Sequence, residues 1–217
     1  MKYSTVIFDL DGTLLDTLDD LTDSVNEIMK RYDYPVYEKE QIRLFVGNGI
    51  RVLMQRALPK ELCPETFEEC FLAFREYYTN HCMEKTRPYL GIVPLLTELN
   101  EQKIKMAIVS NKNDEAVKEL ADYYFQNLIA TAIGNKQGVC PKPAPDTVFE
   151  AMKLLSSKKE ETLYVGDSQV DMQTAVNAGI ECVLVDWGFR DRDELEKLGA
   201  LAVIHTPEEL INILKSE

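Results

Sequence analysis

Apolar residues come in short, nearly unbroken runs along this chain. Val6-Ile7-Phe8 lies within residues 5–10, and similar runs occupy 105–110, 128–133, 162–166, 181–186 and, more briefly, 201–204. These runs lack the alternation of a strand with one wet face, so they predict parallel strands covered on both sides. Helical spacing fills the gaps, at 93–102, 114–124, 145–155, 170–178 and 208–215. Strand and helix in alternation predict an α/β fold, a Rossmann-like doubly wound parallel sheet.

One interval breaks the alternation. Between residues 16 and 88 no strand pattern is found, while Leu18, Leu21, Val25, Ile28, Met29 and Tyr32 recur at helical spacing. A Gly47-Asn48-Gly49 break follows, then a periodic stretch at 52–58 and another at 67–82 carrying Phe71, Phe74 and Tyr78. The pattern predicts an all-helical domain inserted after the first strand. Residues 16–85 form the insert, and 1–15 with 86–217 form the core. Tyr34-Pro35 and Arg87-Pro88 are breaks, the latter at the return to the core.

Composition narrows the partners. The 217 residues carry 24 Lys and Arg against 37 Asp and Glu, a net charge of −13. So acidic a surface argues against nucleic acid or an anionic membrane as partner. An anionic substrate then needs a local positive site. No run reaches the length of a membrane span, and no secretion signal precedes Asp9. Five cysteines without a Cys-x-x-Cys spacing read as reduced thiols, so a cytoplasmic protein is expected. Whether it is a monomer or a homodimer is left open. His81 and His205 read as structural, Trp187 as packing, and Asp19-Asp20 and the run at 191–196 as solvated faces.

Carboxylates stand where strands end. Asp9 and Asp11 are two apart, and in extended backbone i and i+2 project to the same side. Both can face one site beyond the strand, where open α/β sheets bind ligands. Two close carboxylates repel unless a proton or a cation sits between them, and oxygen-only ligands suit Mg²⁺. Gly12-Thr13 follow at once, a turn whose N–H groups can hold an anion. Ser110-Asn111 end another strand and can donate to phosphate oxygens, although alone they read equally as a turn or a helix cap. Lys142 lies between prolines in Pro141-Lys142-Pro143, which restricts where it points. Gly166-Asp167 end a further strand. Asp171, four residues on, faces the same site if a helix starts there, with Asp167 or Ser168 as its N-cap.

Asp9-Leu10-Asp11-Gly12-Thr13 resembles the signature of the haloacid dehalogenase-like hydrolase superfamily, and the three later motifs stand in that family's order. The resemblance covers nearly the whole chain. It implies a phosphatase acting on a small phosphorylated metabolite, with Asp9 as nucleophile and Asp11 as general acid and base. It also implies Mg²⁺ held by Asp9, the carbonyl of Asp11 and Asp167, with Asp171 behind them or acting through water. Gly12, Thr13, Ser110, Asn111 and Lys142 are then the phosphate-binding groups. The family's dehalogenases lack the acid at the position of Asp11, so its presence speaks for phosphate chemistry. Cys140-Pro141 ahead of Lys142 departs from the family pattern and leaves that loop's shape open.

Residues 45–58 resemble the cap segment of phosphoglycolate phosphatases, which implies substrate contacts from Gly47, Asn48, Gly49 and Arg51. An ordinary helix–helix turn explains the same residues equally well. A β-phosphoglucomutase-like mutase or a pyrophosphatase on the same scaffold remains an alternative. So does a phospho-accepting receiver module, although receivers are shorter and lack both the helical insert and the second acid.

Overall fold

The computed structural model describes residues 2–215. The chain divides into two compact units, Met1–Leu15 with Pro88–Glu217, and Asp16–Arg87.

The first unit is built on β1 (Thr5–Phe8), β4 (Lys105–Asn113), β5 (Thr131–Asn135), β6 (Thr162–Gly166), β7 (Glu181–Val185) and β8 (Ala202–Ile204). They form one sheet in the order β5-β4-β1-β6-β7-β8, and its pairings are parallel. All four residues of β1 and all five of β6 are buried. That is what continuous apolar runs require when helices cover both faces of a sheet. Helices α5 (Ile92–Glu101), α6 (Asp114–Phe125), α7 (Asp146–Leu155), α8 (Gln169–Ala178), α9 (Arg192–Leu195) and α10 (Pro207–Lys215) complete this unit. Ile7, Val109, Tyr164 and Leu184 from four neighbouring strands pack with Val148, Ala151 and Ala175 of α7 and α8 in one core cluster. Strand order reverses beside β1: β4 and β5 lie to one side, β6 to β8 to the other. Such a switch point opens a crevice at the carboxyl ends of the strands.

The sheet differs from its sequence prediction at the strand ends. β1 stops at Phe8 because Leu10 leaves the ladder. Its carbonyl accepts from the N–H groups of Thr13, Leu14 and Leu15 at 3.3, 3.0 and 2.9 Å. β4 runs on past Ser110 to Asn113, with an irregular register after Val109. The strand expected from residue 128 begins at Thr131, since Gln126–Leu128 form a 3-10 turn.

The second unit holds α1 (Leu18–Arg31), α2 (Lys39–Phe45), α3 (Ile50–Ala57) and α4 (Pro64–His81). Leu18, Leu21, Val25, Ile28 and Met29 bury one stripe of α1, as their spacing predicts. Only Ile42 of α2 is buried, so this helix has too little apolar periodicity to be read from sequence. Two-residue strands, β2 (Leu15–Asp16) and β3 (Arg87–Pro88), mark the two chain crossings and pair as a ribbon. Asp20 is not solvated as expected. It is 2% exposed, and its carboxylate accepts from Lys85 N (2.9 and 3.1 Å) and Thr86 N (2.9 Å). No helix among the described residues is long and apolar enough to cross a membrane.

Candidate active site

Register alone brings the first acids together. Phe8 pairs with Ile108 of β4 on one side and Val165 of β6 on the other. The residues just beyond these pairs, Asp9, Ser110 and Asp167, therefore share one edge of the sheet. The Asp9 N–H donates to Val165 O at 2.9 Å, which fixes the backbone where the side chain turns into the crevice. The turn after it must be tight. Gly12 adopts φ +89°, and a Cβ there would overlap the Asp167 carboxylate and the Phe189 ring. Gly188 closes the other side, since its Cβ would overlap Asp167 and the Gly12 carbonyl. The Asp167 carboxylate thus sits in a cradle that two glycines leave open.

Among the described residues, Asp9, Asp167 and Asp171 each place a carboxylate oxygen within 4.8 Å of the others, and all three are buried. Lys142 reaches into this group. Its Nζ donates to Asp9 Oδ1 (2.7 Å), Asp171 Oδ1 (2.7 Å) and the Tyr164 hydroxyl (3.1 Å). The Tyr164 hydroxyl donates onward to Asp171 Oδ1 at 3.1 Å, and Ser168 Oγ donates to Asp171 Oδ2 at 2.5 Å. Both Asp171 oxygens are therefore bound by side chains, and this carboxylate orients Lys142. Asp167 Oδ2 accepts from the Phe189 N–H at 2.7 Å. The loop carrying Lys142 is held through its main chain: Asn111 Nδ2 donates to Lys142 O (3.0 Å), and Lys142 N donates to Asn111 Oδ1 (2.7 Å). Cys140, two residues earlier, is exposed, and Lys142-Pro143 is a cis peptide.

Burial, then the nearby Asp171, pushes Asp9 well above the ordinary carboxylate range. The same two causes raise Asp167 to about 7, against the opposing pull of the Phe189 N–H and Arg190. Burial disfavours the Lys142 ammonium, but Asp171 and Asp9 outweigh it and hold the amine charged well above its usual range. One ammonium stands among three buried carboxylates, and the surplus negative charge calls for protons or a cation. The donor set is oxygen only, compact and cradled by glycines that admit nothing larger. These features fit Mg²⁺.

Asp11 has its own partners. Its Oδ1 accepts from Lys112 Nζ at 3.0 Å and its Oδ2 from Ser110 Oγ at 3.4 Å. The Gly12 N–H closes the turn on Leu15 O (2.9 Å) and the Thr13 N–H on Leu10 O (3.3 Å), so the expected anion donors are engaged within the turn. Thr13 Oγ1 is buried without a hydrogen-bond partner among the described residues. Trp187, read as packing, donates its indole N–H to Thr13 O at 3.0 Å. Lys112, Tyr164, Gly188, the Phe189 N–H and Arg190 were not legible as site residues. Only Lys112 had a usable signal, two residues past Ser110 on what proves to be the same strand.

Gly47, Asn48 and Gly49 belong to the other unit, at the turn between α2 and α3, and Arg51 lies in the first turn of α3. Gly47 and Gly49 take φ +121° and +81°. Asn48 Oδ1 accepts from Arg56 at 2.9 Å. Arg51 makes a two-pronged ion pair with Glu68 (2.5 and 3.0 Å) and lies 4.1 Å over the Phe71 ring.

The haloacid dehalogenase-like hydrolase model matches residues 6–185, a span containing every core motif above. The chain belongs to the haloacid dehalogenase-like hydrolase family. Within it, the chain is 31% identical over 209 residues to a phosphoglycolate phosphatase of Mesorhizobium japonicum, covering 94% of this chain and 92% of that one. It is also 31% identical to phosphoglycolate phosphatase 1 of Pseudomonas aeruginosa, covering 95% and 78%. Among solved structures, one from Lactobacillus delbrueckii subsp. bulgaricus, provisionally assigned as a phosphoglycolate phosphatase, superposes with a TM-score of 0.95 at 34% identity over all of both chains. The chain is therefore a phosphoglycolate phosphatase-like member of the haloacid dehalogenase-like family.

Proposed function

We propose that this phosphatase hydrolyses a small phosphomonoester, of the 2-phosphoglycolate kind, through a phosphorylated Asp9. The observation that carries the reading is Lys142 Nζ at 2.7 Å from Asp9 Oδ1, inside a buried cluster shared with Asp167 and Asp171. The names of the relatives support the substrate class.

In the first half-reaction a carboxylate oxygen of Asp9 bonds to phosphorus while the bond from phosphorus to the leaving oxygen breaks. Asp11 gives that oxygen a proton. In the second, water attacks the phosphorus of the aspartyl phosphate, Asp11 takes the water's proton, and phosphate leaves with Asp9 restored. Lys142 neutralises oxygens of the transferring group and keeps the Asp9 carboxylate in place through its ion pair. Ser110 and Asn111 border the phosphate position from the end of β4. Asp9, Asp167 and the main-chain carbonyl of Asp11 would hold Mg²⁺. When bound, the cation supplies the positive charge that lets an anionic oxygen meet an anionic phosphorus centre.

The test is phosphate release from a panel of phosphoesters, including 2-phosphoglycolate and glucose 1-phosphate, with and without chelator. The expected result is many turnovers on a small ester, lost on chelation and in Asp9→Asn. Wild-type turnover in Asp9→Asn would remove Asp9 as the nucleophile. A single phosphoryl transfer without release would favour a receiver.

A further inference from the structure

Past Val109 the extended backbone of β4 carries a second, unread pattern. Ser110 and Lys112, two apart, project to one side, while Asn111 between them projects to the other. Asn111 binds the main chain of Lys142, whereas Ser110 and Lys112 both address the carboxylate of Asp11. Lys112 also donates its own N–H to Ser110 Oγ at 3.2 Å, which ties the two groups together. The Lys112 side chain is only 6% exposed, and that of Asp11 is 18% exposed. A lysine put this far out of water has given up its hydration for a few fixed partners.

We propose that Lys112 is a positioning residue for Asp11, locking that carboxylate in the orientation from which it delivers and receives the proton. The inference rests on the Asp11 role given above. The contact from Ser110 is long, at 3.4 Å, so the charge-assisted bond from Lys112 at 3.0 Å is the stronger restraint on the carboxylate. Loss of the ammonium leaves Asp11 able to rotate away while Asp9 and Lys142 keep their own contacts. Proton delivery should fail, and phosphoryl transfer to Asp9 should not.

Leaving-group chemistry separates these outcomes. The alcohol of 2-phosphoglycolate needs a proton to depart, and the p-nitrophenolate of p-nitrophenyl phosphate does not. In single-turnover measurements of leaving-group release, Lys112→Met should slow the alkyl ester by about 10- to 100-fold, a share of what general acid catalysis contributes. Release of p-nitrophenol should stay within about threefold, with substrate affinity unchanged, because the phosphate-binding groups are untouched. Lys112→Arg should restore most of the alkyl rate. In an Asp11→Asn background Lys112→Met should add nothing, since its effect runs through that carboxylate. If Lys112→Met does not fold, Lys112→Gln provides the same ratio of alkyl to aryl rates. Equal slowing of both esters, or additivity with Asp11→Asn, overturns the proposal. If Asp11→Asn itself shows no leaving-group split, the assignment of Asp11 falls instead, so the two failures are distinguishable.

Discussion

Replacing Lys142 with methionine removes the ammonium from the buried acids and keeps the volume of its stem. The Lys142 side chain is 4% exposed, and those of its partners Asp9 and Asp171 are 11% and 1% exposed. Removing one partner of so buried an ion pair leaves an uncompensated charge, at a cost of about 3–5 kcal/mol. For a chain of this size that corresponds to a fall in Tm of roughly 6–20 °C. The loss has a definite pH dependence. Asp9 and Asp167 already have raised folded-state values, because of burial first and Asp171 second. A raised carboxylate contributes stability that is full below its unfolded value near 3.8 and is lost as pH rises through its folded value. The raised value of Lys142 adds stability that is full below its ordinary value of 10.5, so it is intact from pH 5 to 8 in the unmodified protein. Without the ammonium the folded carboxylates are raised further, so the variant loses more stability than the unmodified protein as pH rises, and its deficit should be larger at pH 8 than at pH 5. Urea denaturation of both proteins without divalent cation at the two pH values measures it. A deficit below about 1 kcal/mol, or one equal at both pH values, would refute the charge argument.

Three further outcomes follow from the same geometry. Gly188→Ala pushes a methyl into Asp167 and the Gly12 carbonyl, so it should cost about 1–3 kcal/mol and weaken Mg²⁺ binding, read by denaturation and calorimetry. Cation binding should release protons, and fewer of them as pH rises through about 7, because it ionises Asp167, held at about 7 without the metal, along with the raised Asp9; calorimetry in buffers of different ionisation enthalpy measures the release. Asp20→Ala orphans the N–H groups of Lys85 and Thr86 and should destabilise the protein by about 1–3 kcal/mol, as followed by thermal unfolding.

The legible parts of this protein were those where one physical requirement acts on consecutive residues. Strands buried on both faces must be apolar without interruption, so β1, β6 and β7 stood out. Their carboxyl ends are the only places where Asp9 and Asp167 interrupt the run to face the crevice, and this exposed the acids. α2 escaped because only Ile42 is buried, leaving no stripe to see. Lys112 escaped because a charge after Ser110 reads as the end of a strand, whereas the strand continues and the charge is neutralised by Asp11. Asp20 looked solvated for a similar reason. The backbone donors that hold it lie 65 and 66 residues away in sequence. Tyr164 lies buried inside the apolar run at 162–166, and the role of its hydroxyl between Lys142 and Asp171 exists only in three dimensions.

A phosphoryl group carried by Asp9 can be trapped directly. Acid quenching during turnover of 2-phosphoglycolate, followed by borohydride reduction, converts an acyl phosphate to the alcohol and marks its residue for peptide mass spectrometry. Homoserine is expected at position 9, dependent on substrate and absent from Asp9→Asn. Sustained phosphate release with position 9 unmodified, or with the label on another carboxylate, would contradict it.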